Sequence, residues 1–272
     1  MLRTLKDLES YKVSAVDGDI GRVTDFLFDD QQWTIRYLVT DTSGSGEKAH
    51  QVLISPISFR RVDWATRLFH LGLTQEKVKN SPSVDLAKPV SRQYERAYSE
   101  YYGWPSYWTT GAIGAWNMGA YPSALADSSM KEELQPNEEA HNDPHLRSAK
   151  EVAGYHVHGS DGQIGHIADF IVDDESWAIR YLVVDTSNWW LGKKVLVAPH
   201  WAQNVSWAES RVYLNLTRDQ IKNSPTWSPD ALVNRAYEER LYDYYGRPGY
   251  WSRDDAEEKG SVVPREEKHP VV

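Results

Sequence analysis

The stretch that decides the fold is DGDIGRVTDFLFDDQQWTIRYLVTDTS, residues 17–43, and it returns as DGQIGHIADFIVDDESWAIRYLVVDTS, residues 161–187. Each copy predicts a hairpin followed by a further strand. Asp17-Gly18 and Asp161-Gly162 carry the dipeptide of a type I′ turn, because glycine accepts positive φ. Gly21 and Gly165 fall early in the returning strand, where a glycine marks a bulge or a close backbone approach. The β-rich runs 23–28 and 167–172 end at Asp29-Asp30 and Asp173-Asp174, turn residues whose carboxylates bond nearby amides. Residues 33–39 and 177–184 form the next strand. Ile35, Tyr37 and Val39 point one way, Arg36 and Leu38 the other, so both faces carry apolar load, as a small closed sheet would require.

The likeness extends well beyond this stretch. Residues 2–43 align with 146–187 without a gap, with 22 identities in 42 positions. After a loop one residue shorter in the second copy, Pro56 meets Pro199, Asn80-Ser81-Pro82 meets Asn223-Ser224-Pro225, and Tyr107-Trp108 meets Tyr250-Trp251. A period of this length is too long for a solenoid unit and means two copies of one domain. The organisation expected is a first domain over 1–108, a linker over 109–145, a second domain over 146–251 and a disordered tail over 252–272. The linker's later part and the tail are polar and charged.

Outside the central stretch, residues 11–16, 52–54, 59–62 and 68–73 read as short strands, and Pro56 ends one of them because proline cannot donate to a ladder. Thr74 and Thr217 are N-caps for short helices through Lys79 and Lys222. A longer helix over 91–102 places Tyr94, Ala97, Tyr98 and Tyr101 on one face, and Tyr237, Leu241 and Tyr244 repeat it. Gly103 and Gly246 are natural stops.

The ordered set resembles the PRC-barrel family. The residues that carry the resemblance are Ile20-Gly21 with Asp25 and Asp29, the strand 35–42, and 52–56 ending at its proline, with Ile164-Gly165, Asp169, Asp173, 179–186 and 195–199 as the second set. The Asn-Ser-Pro turn and the helix ending in Tyr-Tyr-Gly-x-Pro-x-Tyr-Trp look like a bacterial subtype of that family. The resemblance implies a mainly β protein: two small antiparallel PRC-type β-barrels, each followed by a short helix and a longer C-terminal helix. It also implies adaptor roles. Such barrels occur in the photosynthetic reaction-centre H subunit, where they cap a membrane complex, and in a ribosome-maturation factor. The sequence shows neither the transmembrane helix of the first nor the extra N-terminal domain of the second, so neither specific role is expected here.

Composition narrows the classes. A net charge of −9 disfavours a nucleic-acid binder, which needs a basic footprint. The chain has no cysteine, so it has no disulfide framework, thiolate metal site or cysteine nucleophile. No apolar run reaches the length of a membrane span, and the first residues lack the core of a signal peptide. A cytoplasmic protein with no integral membrane segment is expected, with peripheral association with a membrane complex left open. The 12 tryptophans and 16 tyrosines can fill small barrels or make contact surface.

No serine elbow, dinucleotide fingerprint or phosphate loop is present, so no catalytic residue is assigned and no cofactor or metal is expected. The recurring carboxylates invite an ion or ligand site. Asp25, Asp29 and Arg36, with Asp169, Asp173 and Arg180, form the duplicated set, and a structural ion pair of each arginine with one of its two aspartates is the expected use. His156 and His158 share a strand face at ligand spacing, but Lys12 and Ser14 replace them in the first copy. His141 and His145 are separated by a proline and read as linker. The sharpest asymmetry is a loop: Gly44-Ser45-Gly46 in the first copy, Asn188-Trp189-Trp190-Leu191-Gly192 in the second. Exposed indoles mark contacts, so Trp189, Trp190 and Leu191 are the candidate partner-binding residues. The function expected is non-enzymatic: a tandem scaffold binding an unidentified protein partner or itself, as a homo-oligomer or a pseudo-symmetric barrel pair. The alternative is a small-ligand or metal-ion sensor using the cleft between the barrels.

Overall fold

The computed structural model describes residues 1–42, 51–82, 90–106, 145–186 and 193–251. The first repeat runs β1 (Leu2–Thr4), α1 (Leu5–Leu8), β2 (Lys12–Ala15), β3 (Gly18–Asp29), β4 (Thr34–Asp41), β5 (Gln51–Ile54), β6 (Phe59–Asp63), β7 (Leu68–Leu71), α2 (Gln75–Lys79) and α3 (Arg92–Tyr102). The second repeats it as β8 (Leu146–Ser148), α4 (Ala149–Val152), β9 (His156–Gly159), β10 (Gly162–Asp173), β11 (Ile179–Asp185), β12 (Lys194–Val197), β13 (Ala202–Ser206), β14 (Arg211–Leu214), α5 (Arg218–Asn223), β15 (Thr226–Trp227) and α6 (Arg235–Tyr245). The chain is mainly β, and its strands fall into two sheets.

The first sheet has the order β5-β4-β3-β2-β7-β6, and the second β13-β14-β9-β10-β11-β12-β15. All pairs are antiparallel except β2 with β7 and β9 with β14. Among the described residues the hydrogen-bonded path of each sheet has two ends, so closure into a barrel is not part of this pairing pattern.

The tight hairpin is not the expected type I′ turn. Ala15 pairs with Gly18, so the two loop residues are Val16 and Asp17, and neither is among the residues of positive φ. The glycine instead opens the returning strand, and the aspartate turns away to cap a helix: the Asp17 carboxylate accepts from the Gln75 amide at 2.8 Å, and Asp161 from Arg218 at 2.8 Å. Thr74 and Thr217 cap α2 and α5 as the sequence predicts.

Residues 2–10 do more than lead into the first repeat. β3 and β10 are each 12 residues long, while the partners β2 and β9 have only four. The far half of each long strand would therefore leave one edge unpaired, which is costly when buried. Each repeat covers the other's edge. β8 pairs with β3 in the register Leu27↔Ser148, Phe28↔Arg147 and Asp29↔Leu146, and β1 pairs with β10 as Leu2↔Asp173, Arg3↔Val172 and Thr4↔Ile171. A further bridge joins Thr34 to Ala178, with the Ile35 amide donating to the Trp177 carbonyl and the Ile179 amide to that of Trp33. The exchange is reciprocal, as across a two-fold axis.

One apolar core runs through this joint. Phe28 meets Phe170 at 5.8 Å between ring centroids. Trp177 of the second repeat packs on Phe59 and Phe69 of the first, at 5.3 and 6.0 Å. Trp33 reciprocates more loosely against Trp207, at 6.4 Å. A smaller cluster lies under α3, where Leu27, Tyr37, Val39, Leu53 and Tyr98 are buried with Leu146. The buried face of α3 is shifted from the expected one: Glu95, Tyr98 and Ser99 are buried, while Ala97 is exposed. In α6, Tyr237, Glu238, Leu241 and Tyr242 are buried, and Tyr244 is exposed.

Candidate functional site: the joint between the repeats

Asp25, Asp29, Asp30 and their counterparts in the second repeat divide into three jobs. Asp29 and Asp173 serve the turn and the arginine. Asp29 accepts from the amides of Gln31 and Gln32 at 2.9 and 3.2 Å, and from the Arg36 guanidinium at 3.4 Å. Arg36 also donates to the Gln32 side chain at 2.8 Å. Asp173 accepts from Glu175 and Ser176 and lies 3.5 Å from Arg180. Each arginine thus has one of its two expected partners.

Asp25 and Asp169 sit on a register shift in the long strand and reach the other repeat. Asp25 accepts from its neighbour Phe26 at 2.7 Å, from the Ser148 hydroxyl at 2.6 Å and from the Lys150 amide at 3.1 Å. Ser148 is itself the N-cap of α4. Asp25 therefore extends that cap and fixes the first turn of the helix that follows the lent strand. Asp169 does the same for α1 with fewer donors, accepting from Phe170 at 2.8 Å and Lys6 at 3.3 Å. Burial pushes the Asp169 carboxyl up to about 6, against the pull of those two amides and of Lys6.

Asp30 and Asp174 clamp the lent strands. The Asp30 carboxylate takes the Arg147 guanidinium at 2.8 Å and the His145 ring at 3.3 Å, and its amide donates to the His145 carbonyl. Asp174 takes Arg3 at 2.7 Å and the Met1 amino group, and its amide donates to the Met1 carbonyl. The same arginines stack on indoles, Arg3 over Trp64 at 3.6 Å and Arg147 over Trp207 at 4.5 Å. Read as a dipeptide, Asp-Asp signals a turn; only pairing across the repeats shows that the second aspartate is a clamp.

Sequence reasoning also passed over two buried carboxylates. Glu95 accepts from the Tyr37 hydroxyl at 3.4 Å and from Arg92 at 3.0 Å. Glu238 accepts from Tyr181 at 2.7 Å and Tyr250 at 2.9 Å, and lies 3.5 Å from Arg235. These networks tie the C-terminal helices to the strands β4 and β11. Burial, Tyr242 and Glu238 push the Tyr181 phenol far up, so it stays a donor. The available signal was a glutamate at the same place in both helices, beside Tyr94 and Tyr237 on the apolar face.

His156 is exposed and His158 half-buried, at ring contact with Tyr213. Among the described residues no group of three or more histidines, aspartates or glutamates could hold a metal ion. An open cleft of about 700 Å³ lies along the first hairpin, its charged lining residues being Lys12, Arg22, Lys79, Asp19 and Asp41. Its lining does not include Asp25, Asp29 or Asp30. Trp189, Trp190, Leu191 and His141 lie outside the described residues. Among the described residues no helix is long and apolar enough to cross a membrane.

No family model matches the chain. An uncharacterized protein of Deinococcus radiodurans is 32% identical to it over 103 residues, which is 38% of this chain and 34% of that protein. The chain thus spans about a third of the length of the relative it matches.

Proposed function

We propose that this chain is a tandem PRC-barrel scaffold, a non-enzymatic adaptor whose two barrels are held in fixed relation so that their outer surfaces present to a protein partner. The observation that carries the reading is the use of the duplicated ionisable residues. Asp25, Asp30, Asp169 and Asp174 hold one repeat to the other, and Asp29 and Asp173 hold their own turns and arginines. Chemistry that could have served an ion or a substrate is spent on rigidity, and rigidity is what a scaffold needs. The two sheets, each with a long central strand, one parallel pair beside its hairpin and helices after it, are compatible with the PRC-type architecture. The contact surface is assigned to the loop bearing Trp189, Trp190 and Leu191, from its aromatic character in sequence.

The test is a quantitative one. Partners are taken from the native host by in-cell crosslinking to the full chain, the strongest is purified, and its affinity is measured against wild type and a Trp189→Ser/Trp190→Ser double variant of unchanged circular dichroism. Loss of about tenfold or more in affinity supports the reading. Equal affinity removes the loop from it. Absence of any partner enriched above a tag-only control removes the adaptor role.

A further inference from the structure

We propose that the lent segments β1-α1 and β8-α4 are exchangeable between chains, so that a second copy of this chain is a partner: repeat one of each chain joins repeat two of the other, closing a two-fold dimer.

The contacts that make the joint are indifferent to connectivity. Arg3 and Asp174 are 171 positions apart, Arg147 and Asp30 are 117 apart, and Ser148 and Asp25 are 123 apart. Each would form unchanged if the two residues belonged to different chains. Between Ser106 and His145 the covalent tie is residues 107–144. A tie of that length spans at most about 130 Å when extended, so it permits pairing within a chain and between two chains alike.

A repeat that loses its mate has strong reason to capture another. Withdrawing β8 bares the edge of β3 at Leu27, Phe28 and Asp29, all buried in the joined protein, and withdrawing β1 bares Ile171 and Val172. It also exposes Trp177, which is seated against Phe59 and Phe69. Bare edge and apolar surface together cannot persist in water. The joint is isologous, so capture by a second chain leaves a pair of complementary halves that close on each other, and growth stops at two.

Concentration decides which form is present. A covalent tie of this length holds the two repeats at an effective concentration on the order of 1 mM. Chains that fold alone in dilute solution join within themselves. Chains that fold together near that concentration exchange, and the shared core then slows their return. The inference stands whether or not the scaffold reading does, since it concerns only the joint.

The experiment uses two full-length chains with different tags, one carrying Thr4→Cys and the other Ile171→Cys. These positions face each other across β1 and β10, and the native chain has no other cysteine. The two are unfolded in urea, refolded together and oxidised. A disulfide between them forms only if the arm of one chain lies on β10 of the other. The expected result is a covalent heterodimer with native circular dichroism. Its share should rise from a few per cent near 10 µM to about half near 1 mM. A single chain carrying both substitutions serves as the control for geometry and folding. Wild-type chains with the two tags, co-refolded and weighed by light scattering, give the same readout without cysteine. If the control closes its own disulfide while the mixed chains give no heterodimer at any concentration, and the tagged wild types stay monomeric, the exchange is overturned.

Discussion

At Gly21 an added Cβ would stand 1.9 Å from the carbonyl oxygen of Asp41, and at Gly165 2.0 Å from that of Asp185. Neither neighbour is a side chain that can turn aside, so the strands themselves would have to part. Gly21→Ala is expected to lower stability by about 3 kcal/mol, read as a shift in the urea midpoint at unchanged slope. Asp169 gives the second residue-scale expectation. Its carboxyl is raised to about 6, chiefly by burial, above an unfolded value near 3.9. The fold thus favours the protonated form. Its contribution is fully present below the unfolded value and is lost as pH rises through about 6. Between pH 5 and 7 wild type should lose about 1 kcal/mol relative to Asp169→Asn, measured by urea unfolding of both proteins across that window. A wild-type minus variant difference that stays flat would contradict the burial argument. The same local logic made Gly21, the Arg36–Asp29 pair and the Thr74 cap legible from sequence, because each is set by residues close along the chain or by the pleat.

At the scale of elements, two three-residue strands and the single helical turns behind them hold the repeats together. Such pieces have no stability of their own, since a helix this short is far below the length at which propagation offsets nucleation. They persist because Asp30 and Asp174 grip them through Arg147 and Arg3, and because Asp25 and Asp169 satisfy the amides of the following turn. Asp30→Ala leaves Arg147 without its carboxylate and should cost about 2 kcal/mol. Hydrogen exchange locates the loss: amides of β8 and the facing part of β3 should exchange at least tenfold faster, with β14 unchanged. Uniform acceleration through both sheets would show that the clamp is not local. None of this was legible in the sequence, where residues 2–10 have neither the length nor the alternation of a strand. A three-residue segment carries too little pattern to name a partner over 160 residues away.

For the whole molecule, the decisive fact is that the apolar core does not stop at the repeat boundary. Trp177 is 4% exposed, yet the rings it meets belong to the other repeat. Trp177→Ala should therefore cost about 4 kcal/mol and destabilise both halves together. Calorimetry of the wild type should show one transition, with the calorimetric and van't Hoff enthalpies equal. Two resolved transitions, or a variant in which only the second half melts early, would mean that the halves fold as separate units.

What the sequence determined by itself is the content of each half: the long strand and its short partner, the close approach at glycine, the caps of the short helices, and the fact of duplication. These follow from periodicity and turn chemistry, which act over a few residues. What only the tertiary structure decided is which half each piece serves. A strand longer than its neighbour leaves an edge, and an edge accepts a segment of suitable length; two similar halves offer each other a like edge and a like segment. The choice of the other repeat's arm over the chain's own is made by geometry in space, and no order of residues along one strand records it.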